Sequence, residues 1–146
     1  MRDVFLQAAL DEARQGFKEG GIPIGSVLVC DGHIIGRGHN MRVQTGNPIL
    51  HAEMTALQNA GRQLSSVYHR CTLYTTLSPC SMCSGAAVLY KIPKIVIGEN
   101  QTFMGAEDFL RCEGIELEIV QDAECIALMR DFIAAHPELW NEDIGV

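Results

Sequence analysis

Residues 71–97, CTLYTTLSPCSMCSGAAVLYKIPKIVI, carry the reading that decides the fold. Cys71 to Leu77 reads as a strand, Cys80 to Tyr90 as a helix, and Lys94-Ile95-Val96-Ile97 as a second strand. Pro79 suits the start of that helix, because a missing N–H costs nothing in the first turn, and it fixes the entry angle. Strand, helix and strand in close succession predict a parallel crossover unit.

Outward from this unit the alternation continues. Asp3 to Lys18 places Leu6, Ala9, Leu10, Ala13 and Phe17 at helical spacing, and Gly20-Gly21 ends the helix. Ser26 to Cys30 and His33 to Gly38 flank Asp31-Gly32, a dipeptide suited to a type I′ turn, so they predict a hairpin. After an irregular stretch, about Gly38 to Leu50, a helix is expected from about His51 to Arg62. Towards the C-terminus come a short helix at Glu107 to Cys112, a strand at Ile115 to Val120, and a helix at Ala123 to Ala135 with Ile126, Met129 and Ile133 on one face. A short acidic tail is expected after Pro137. No linker or repeat divides the 146 residues, so the expectation is one α/β domain spanning 1–146, a three-layer α-β-α sandwich around a mixed sheet of about five strands.

Charge and composition narrow the function. A net charge of −7 opposes binding to a phosphate backbone, which needs clustered Lys and Arg, so nucleic acid is not an expected partner. No stretch approaches the ~20 apolar residues of a membrane span, and the N-terminus lacks the features of a secretory signal, which places the expected chain in the cytoplasm. Six cysteines in that setting read as thiols or metal ligands. Only Cys80 and Cys83 are closely paired; Cys30, Cys71, Cys112 and Cys125 stand alone and read as buried small hydrophobes.

The chemistry sits in two fragments, His51-Ala52-Glu53 and Pro79-Cys80-Ser81-Met82-Cys83. One imidazole and two thiolates satisfy three of the four tetrahedral positions of Zn²⁺, with the fourth left for water. Both fragments fall at expected helix starts, where free N–H groups and the positive dipole end favour thiolate over thiol. Cys80 and Cys83, one helical turn apart, can face one ion. Glu53, two residues beyond His51, can face the same cavity without ligating, and a carboxylate there can take a proton from water and return it to a ring nitrogen and a leaving amine. Other readings compete. A lone C-x-x-C also describes a redox pair, and a structural zinc site would need a fourth ligand from His33, His39, His69 or His136, none at knuckle spacing. The conjunction of both fragments separates the readings, since H-x-E followed by P-C-x-x-C is the signature of zinc deaminases.

On these residues the chain resembles the cytidine deaminase-like superfamily, and within it the fungal-type zinc-dependent cytosine deaminases. The resemblance extends over Lys18-Glu19-Gly20-Gly21-Ile22-Pro23-Ile24-Gly25, Gly36-Arg37-Gly38-His39-Asn40-Met41-Arg42, Leu73 to Cys80, Ile97-Gly98-Glu99-Asn100 and the ending Trp140-Asn141-Glu142-Asp143-Ile144-Gly145. It implies one Zn²⁺ per subunit, a homodimer, and hydrolysis of free cytosine to uracil and ammonia. It also implies roles: Asn40 on the pyrimidine edge, the Ala52 N–H on the ring carbonyl, the Ser78 carbonyl and Asp143 carboxylate on the amino group, and Ile24, Phe103, Trp140 and Ile144 as a lid. From composition alone Asn40 can also be a turn residue, Asp143 reads rather as a solvated tail charge, and Trp140 can be core or dimer packing. The chain departs from the fungal pattern at Ala52, where glycine is usual, in a tighter turn at Asp31-Gly32, and in a shorter, different segment from Phe103 to Leu110. Those departures keep isocytosine, guanine, a pterin, creatinine, a free nucleoside and tRNA adenosine open as substrates, and a non-catalytic zinc-binding dimerisation module as a different class.

Overall fold

The alternation read in the sequence becomes, in a computed structural model describing residues 1–146, thirteen elements. They are α1 (Val4–Lys18), β1 (Gly25–Cys30), β2 (His33–His39), α2 (Arg42–Thr45), α3 (Ala52–Ala60), α4 (Ser65–Tyr68), β3 (Cys71–Thr75), α5 (Ser81–Leu89), β4 (Lys94–Ile97), α6 (Glu107–Cys112), β5 (Glu116–Ile119), α7 (Ala123–Ala135) and α8 (Pro137–Asp143). The sheet is mixed, in the order β2-β1-β3-β4-β5. β1 is antiparallel to both neighbours, whereas β3, β4 and β5 run parallel, as the crossover unit at 71–97 requires. Asp31 and Gly32 both have positive φ (51° and 79°), the geometry of the tight turn expected between β1 and β2.

Alternation along β1 sorts the helices into layers. Gly25 lies against the backbone of α1, while Leu28 and Cys30 face the opposite side and join Leu73, Ala87, Ile95 and Leu110 in one core cluster. α1 and α7 are tied together by Arg2–Asp122 and Arg14–Glu124 pairs. The absent side chain of Gly38 lets α3 lie directly on β2, where a Cβ would meet Thr55 Cγ2 at 2.6 Å. A second cluster, Ile22, Ile24, Ala52, Leu77, Met129, Phe132 and Trp140, closes the end of the sheet at which β3 and β4 finish and α3 and α5 begin. Ligand sites of open α/β sheets form at such carboxyl ends. No helix is long and apolar enough to cross a membrane.

Three expectations change. The stretch from Gly38 to Leu50 contains α2, and the acidic tail is the helix α8, opened by Pro137 and burying Trp140 and Asp143. A seven-residue acidic segment has too little intrinsic helicity to announce itself; its stability comes from packing Trp140 against α7. Cys30, Cys71 and Cys125 are buried as expected, but Cys112, at the last turn of α6, is exposed.

The edge strand β2 is fastened to α1 by a charge cluster beside the site. His39 Nδ1 meets Glu12 Oε1 and its Nε2 meets Glu19 Oε1, each at 2.8 Å, and Arg37 Nε donates to Glu12 at 3.0 Å. Glu12 and then Glu19 raise His39 above 6.5; His39 and then Arg37 lower Glu12 below 4.5, and Gln15 and His39 lower Glu19. The raised histidine stabilises the fold fully below its unfolded value of 6.5 and loses that contribution as pH rises through its folded value. The lowered carboxylates contribute fully above 4.5 and lose it as pH falls through theirs, so the cluster is strongest between those limits. His39→Gln is therefore expected to lower Tm more at about pH 5.5 than at about pH 9. An equal loss at both would mean that the imidazole contributes nothing through its charge.

Candidate active site

His51 and Cys80 occupy equivalent places, the N-caps of α3 and α5, with extended backbones (φ/ψ −66/163° and −68/177°). N-cap side chains usually accept a hydrogen bond from the first turn, and losing one costs about 1 kcal/mol. Neither of these does so; both side chains turn towards each other instead, with His51 Nδ1 3.4 Å from Cys80 Sγ. Cys83, one turn into α5, completes a group whose ligand atoms all lie within 4.8 Å of one another. The other four histidines stand outside this group. One imidazole and two sulfurs suit zinc rather than magnesium or calcium, and three protein ligands are a catalytic set rather than a closed structural one.

The two thiols sit in different settings and are hydrogen-bonded to each other. Cys80, which accepts a hydrogen bond from the Cys83 thiol and is contacted by His51, is pulled down to about 4. Cys83, which donates that hydrogen bond and is buried beside Glu53, is raised above the ordinary thiol range. Burial opposes the charged imidazolium of His51, but Cys80, Asp143 and Glu53 outweigh it and push His51 up to about 9. Burial, followed by the negative charge of Cys80, raises Glu53 to about 7.

Above this group lies a small, nearly filled cavity of about 20 Å³ lined by Ile24, His51, Glu53, Leu77, Ser78, Cys80, Phe103, Trp140, Asp143 and Ile144. The four expected lid residues thus meet the metal group, and the rings of Phe103 and Trp140 pack edge to face at 5.5 Å. Ser78 reaches the lining with its carbonyl free of any protein donor. Ala52 lies buried beneath, and as the first residue of α3 its N–H has no acceptor within the helix. Asn40 is wholly buried behind Asp143: its Oδ1 accepts the Arg42 N–H at 3.0 Å, which directs its Nδ2 to Asp143 Oδ1 at 2.8 Å. His51 Nε2 and Arg42 also approach Asp143 Oδ1, at 3.5 and 3.6 Å. A carboxylate on the far nitrogen of a ligating histidine fixes the ring's orientation and tautomer. Burial raises Asp143 against the pull of His51, Asn40 and Arg42.

Sequence reading passed over two residues here. Arg42 braces Asp143 and Glu142 of α8 against the Pro48 carbonyl, and the only hint was its place in the Asn40-Met41-Arg42 run. Glu107, 2% exposed, receives the Ser78 hydroxyl. Nothing in a short amphipathic helix distinguishes it from a surface acid.

A crossover sheet whose two helix N-termini present a histidine, two cysteines and a buried glutamate to one small cavity defines a zinc-dependent deaminase. The chain belongs to the family of the cytidine and deoxycytidylate deaminase zinc-binding region, which matches residues 1–99. It is 52% identical over 141 residues to a cytosine deaminase of Candida albicans, covering 96% of this chain and 94% of the relative. A tRNA-specific adenosine deaminase of Streptococcus pyogenes is 46% identical over 110 residues, covering 70% of this chain and 66% of the relative. Among solved structures, the guanine deaminase of Nitrosomonas europaea superposes with a TM-score of 0.75 at 25% identity, covering 89% of this chain and 83% of that one.

Proposed function

We propose that this enzyme hydrolyses free cytosine to uracil and ammonia. The observation that carries the reading is the closure of the cavity by the chain's own C-terminus: Trp140, Asp143 and Ile144 cover the metal group and leave no room beside it for a sugar or a nucleic-acid backbone. A small neutral base is recognised by a few fixed polar groups in a dry enclosure, and the site supplies these. The Ser78 carbonyl and the Oδ2 of Asp143, from residues lining the cavity, suit the exocyclic amino group, and the Ala52 N–H and Asn40 amide, buried behind that lining, are assigned to the ring carbonyl and the ring edge. The similarity to the Candida cytosine deaminase covers 96% of the chain, so it reaches into this C-terminal cover, whereas the family match ends at residue 99.

His51, Cys80 and Cys83 would hold Zn²⁺, which when bound supplies the Lewis acidity that makes water a nucleophile near neutral pH. Glu53 takes one proton from the attacking water and passes it to the ring nitrogen, then takes the remaining proton of the added hydroxyl and delivers it to the amino nitrogen, as the C–N bond breaks and the carbonyl forms. Asp143 orients His51 through Nε2. Phe103, Trp140, Ile24 and Ile144 exclude bulk water.

A homodimer accompanies this reading, supported by an apolar groove beside α3 and α5 lined by Met54 and Leu57, at which Ile49 and Tyr90 are exposed. A cytoplasmic setting and a role in pyrimidine salvage fit six free cysteines, which suit a reducing compartment. Purified zinc-loaded enzyme, assayed for ammonia release with cytosine, cytidine, guanine, isocytosine and a tRNA anticodon hairpin, should turn over cytosine well above the rest and elute at twice its 16.0 kDa mass. Turnover of guanine or the hairpin with none of cytosine would overturn the substrate assignment.

A further inference from the structure

Glu107 is a buried carboxylate that the chemistry above does not use, and burial of such a group is tolerated only where it is fully bonded. Its Oε2 accepts the Ser78 hydroxyl at 2.6 Å and its Oε1 accepts the Asn100 amide at 3.2 Å, with Arg111 approaching Oε1 at 3.6 Å. Ser78 Oγ in turn accepts the Gly105 N–H at 2.9 Å, and the Pro79 carbonyl accepts the Ala106 N–H at 3.0 Å. The approach is so close that a Cβ on Gly105 would lie 1.8 Å from the Pro79 oxygen. Residues 105–107 are thus moulded onto Ser78 and Pro79, immediately before Cys80. The Ser78 N–H is taken by the Glu99 carbonyl at 3.0 Å. Every polar group of Ser78 is therefore tied down except its carbonyl, which has no protein donor in a residue lining the cavity.

We propose that Glu107 is a positioning residue that locks Ser78 so that its carbonyl accepts the exocyclic amino group of the substrate, making the segment after Phe103 a determinant of preference for an amino-bearing ring. The inference rests on the assignment of the Ser78 carbonyl under the proposed function. A displaced acceptor weakens only ligands that offer it a donor, which separates positioning from general loosening. Misplacement of a contact by about an ångström can cost on the order of 10²-fold in rate.

The test compares wild type, Glu107→Ala, Ser78→Ala and the double variant in kcat and KM for cytosine, in Kd for pyrimidin-2-one (the same ring without the amino group), and in zinc content. Each single variant should lose roughly 10- to 100-fold in kcat/KM on cytosine. Affinity for pyrimidin-2-one should stay within about threefold, zinc should remain stoichiometric, and the double variant should be no worse than the poorer single one, because both cut the same tie. Equal weakening of both ligands, loss of zinc, or additive effects would overturn the proposal. Should Glu107→Ala not fold, Ser78→Ala carries the test alone, since it keeps the backbone carbonyl and removes the tie. Wild-type enzyme inert on cytosine would count against the substrate reading and not against Glu107; the comparison then runs on the accepted amino-heterocycle and its des-amino analogue.

Discussion

Glu53→Gln is expected to retain zinc and to lose about 10²- to 10⁴-fold in kcat on cytosine, the range removed with a single proton carrier. Deamination moves a proton from the attacking water to the ring, and another to the amino nitrogen before ammonia departs. Glu53 is 4% exposed and lines the cavity, yet stands outside the group of metal-ligating atoms. Glutamine keeps its volume and hydrogen bonding but cannot take up the water's proton. Metal analysis beside steady-state kinetics decides the matter. Zinc lost together with activity would make Glu53 a ligand, and a kcat within about threefold of wild type would place the proton carrier elsewhere.

Removal of residues 137–146 is expected to abolish turnover, by roughly 10³-fold or more, because it takes away cover and acceptor together. Phe103 loses its ring partner, Asn40 and His51 lose the Asp143 carboxylate, and Ile24, Leu77, Met129 and Phe132 lose Trp140 from their cluster. Loss of a buried tryptophan costs about 3–5 kcal/mol, so the truncated chain should also melt earlier. Asp143→Asn separates chemistry from stability. It keeps α8 in place and removes only the carboxylate, so a Tm close to wild type with a kcat/KM reduced by about 10²-fold is expected. A truncated enzyme that still turns over cytosine would show that α8 is not part of the site.

Much of the chemistry was legible beforehand because it is local. A histidine and a cysteine at two helix starts point at whatever lies between those starts, and the second cysteine and the glutamate follow within a turn. The crossover unit at 71–97 puts the start of α5 at one end of the sheet, and α3, packed on β2, brings its own start beside it. Less legible was the setting of the pair: helix position suggests two thiolates, and only the fold shows Cys83 hydrogen-bonded to Cys80 and buried next to Glu53. Cys112 likewise looked like its three buried counterparts until α6 turned it outward.

The division follows the range of the interactions. Short-range pattern determined the strands, the main helices, the tight turn at Asp31-Gly32 and the His51, Glu53, Cys80, Cys83 constellation, since periodicity, turn stereochemistry and ligand spacing act within a few residues. Only the tertiary structure made α8 a helix and Asp143 a buried acceptor bonded to a residue 103 positions away, and only it turned Glu107 from a surface acid into the brace of Ser78. Burial and pairing across such separations arise when distant elements pack, and no local pattern in the acidic stretch from Pro137 to Asp143 carries them.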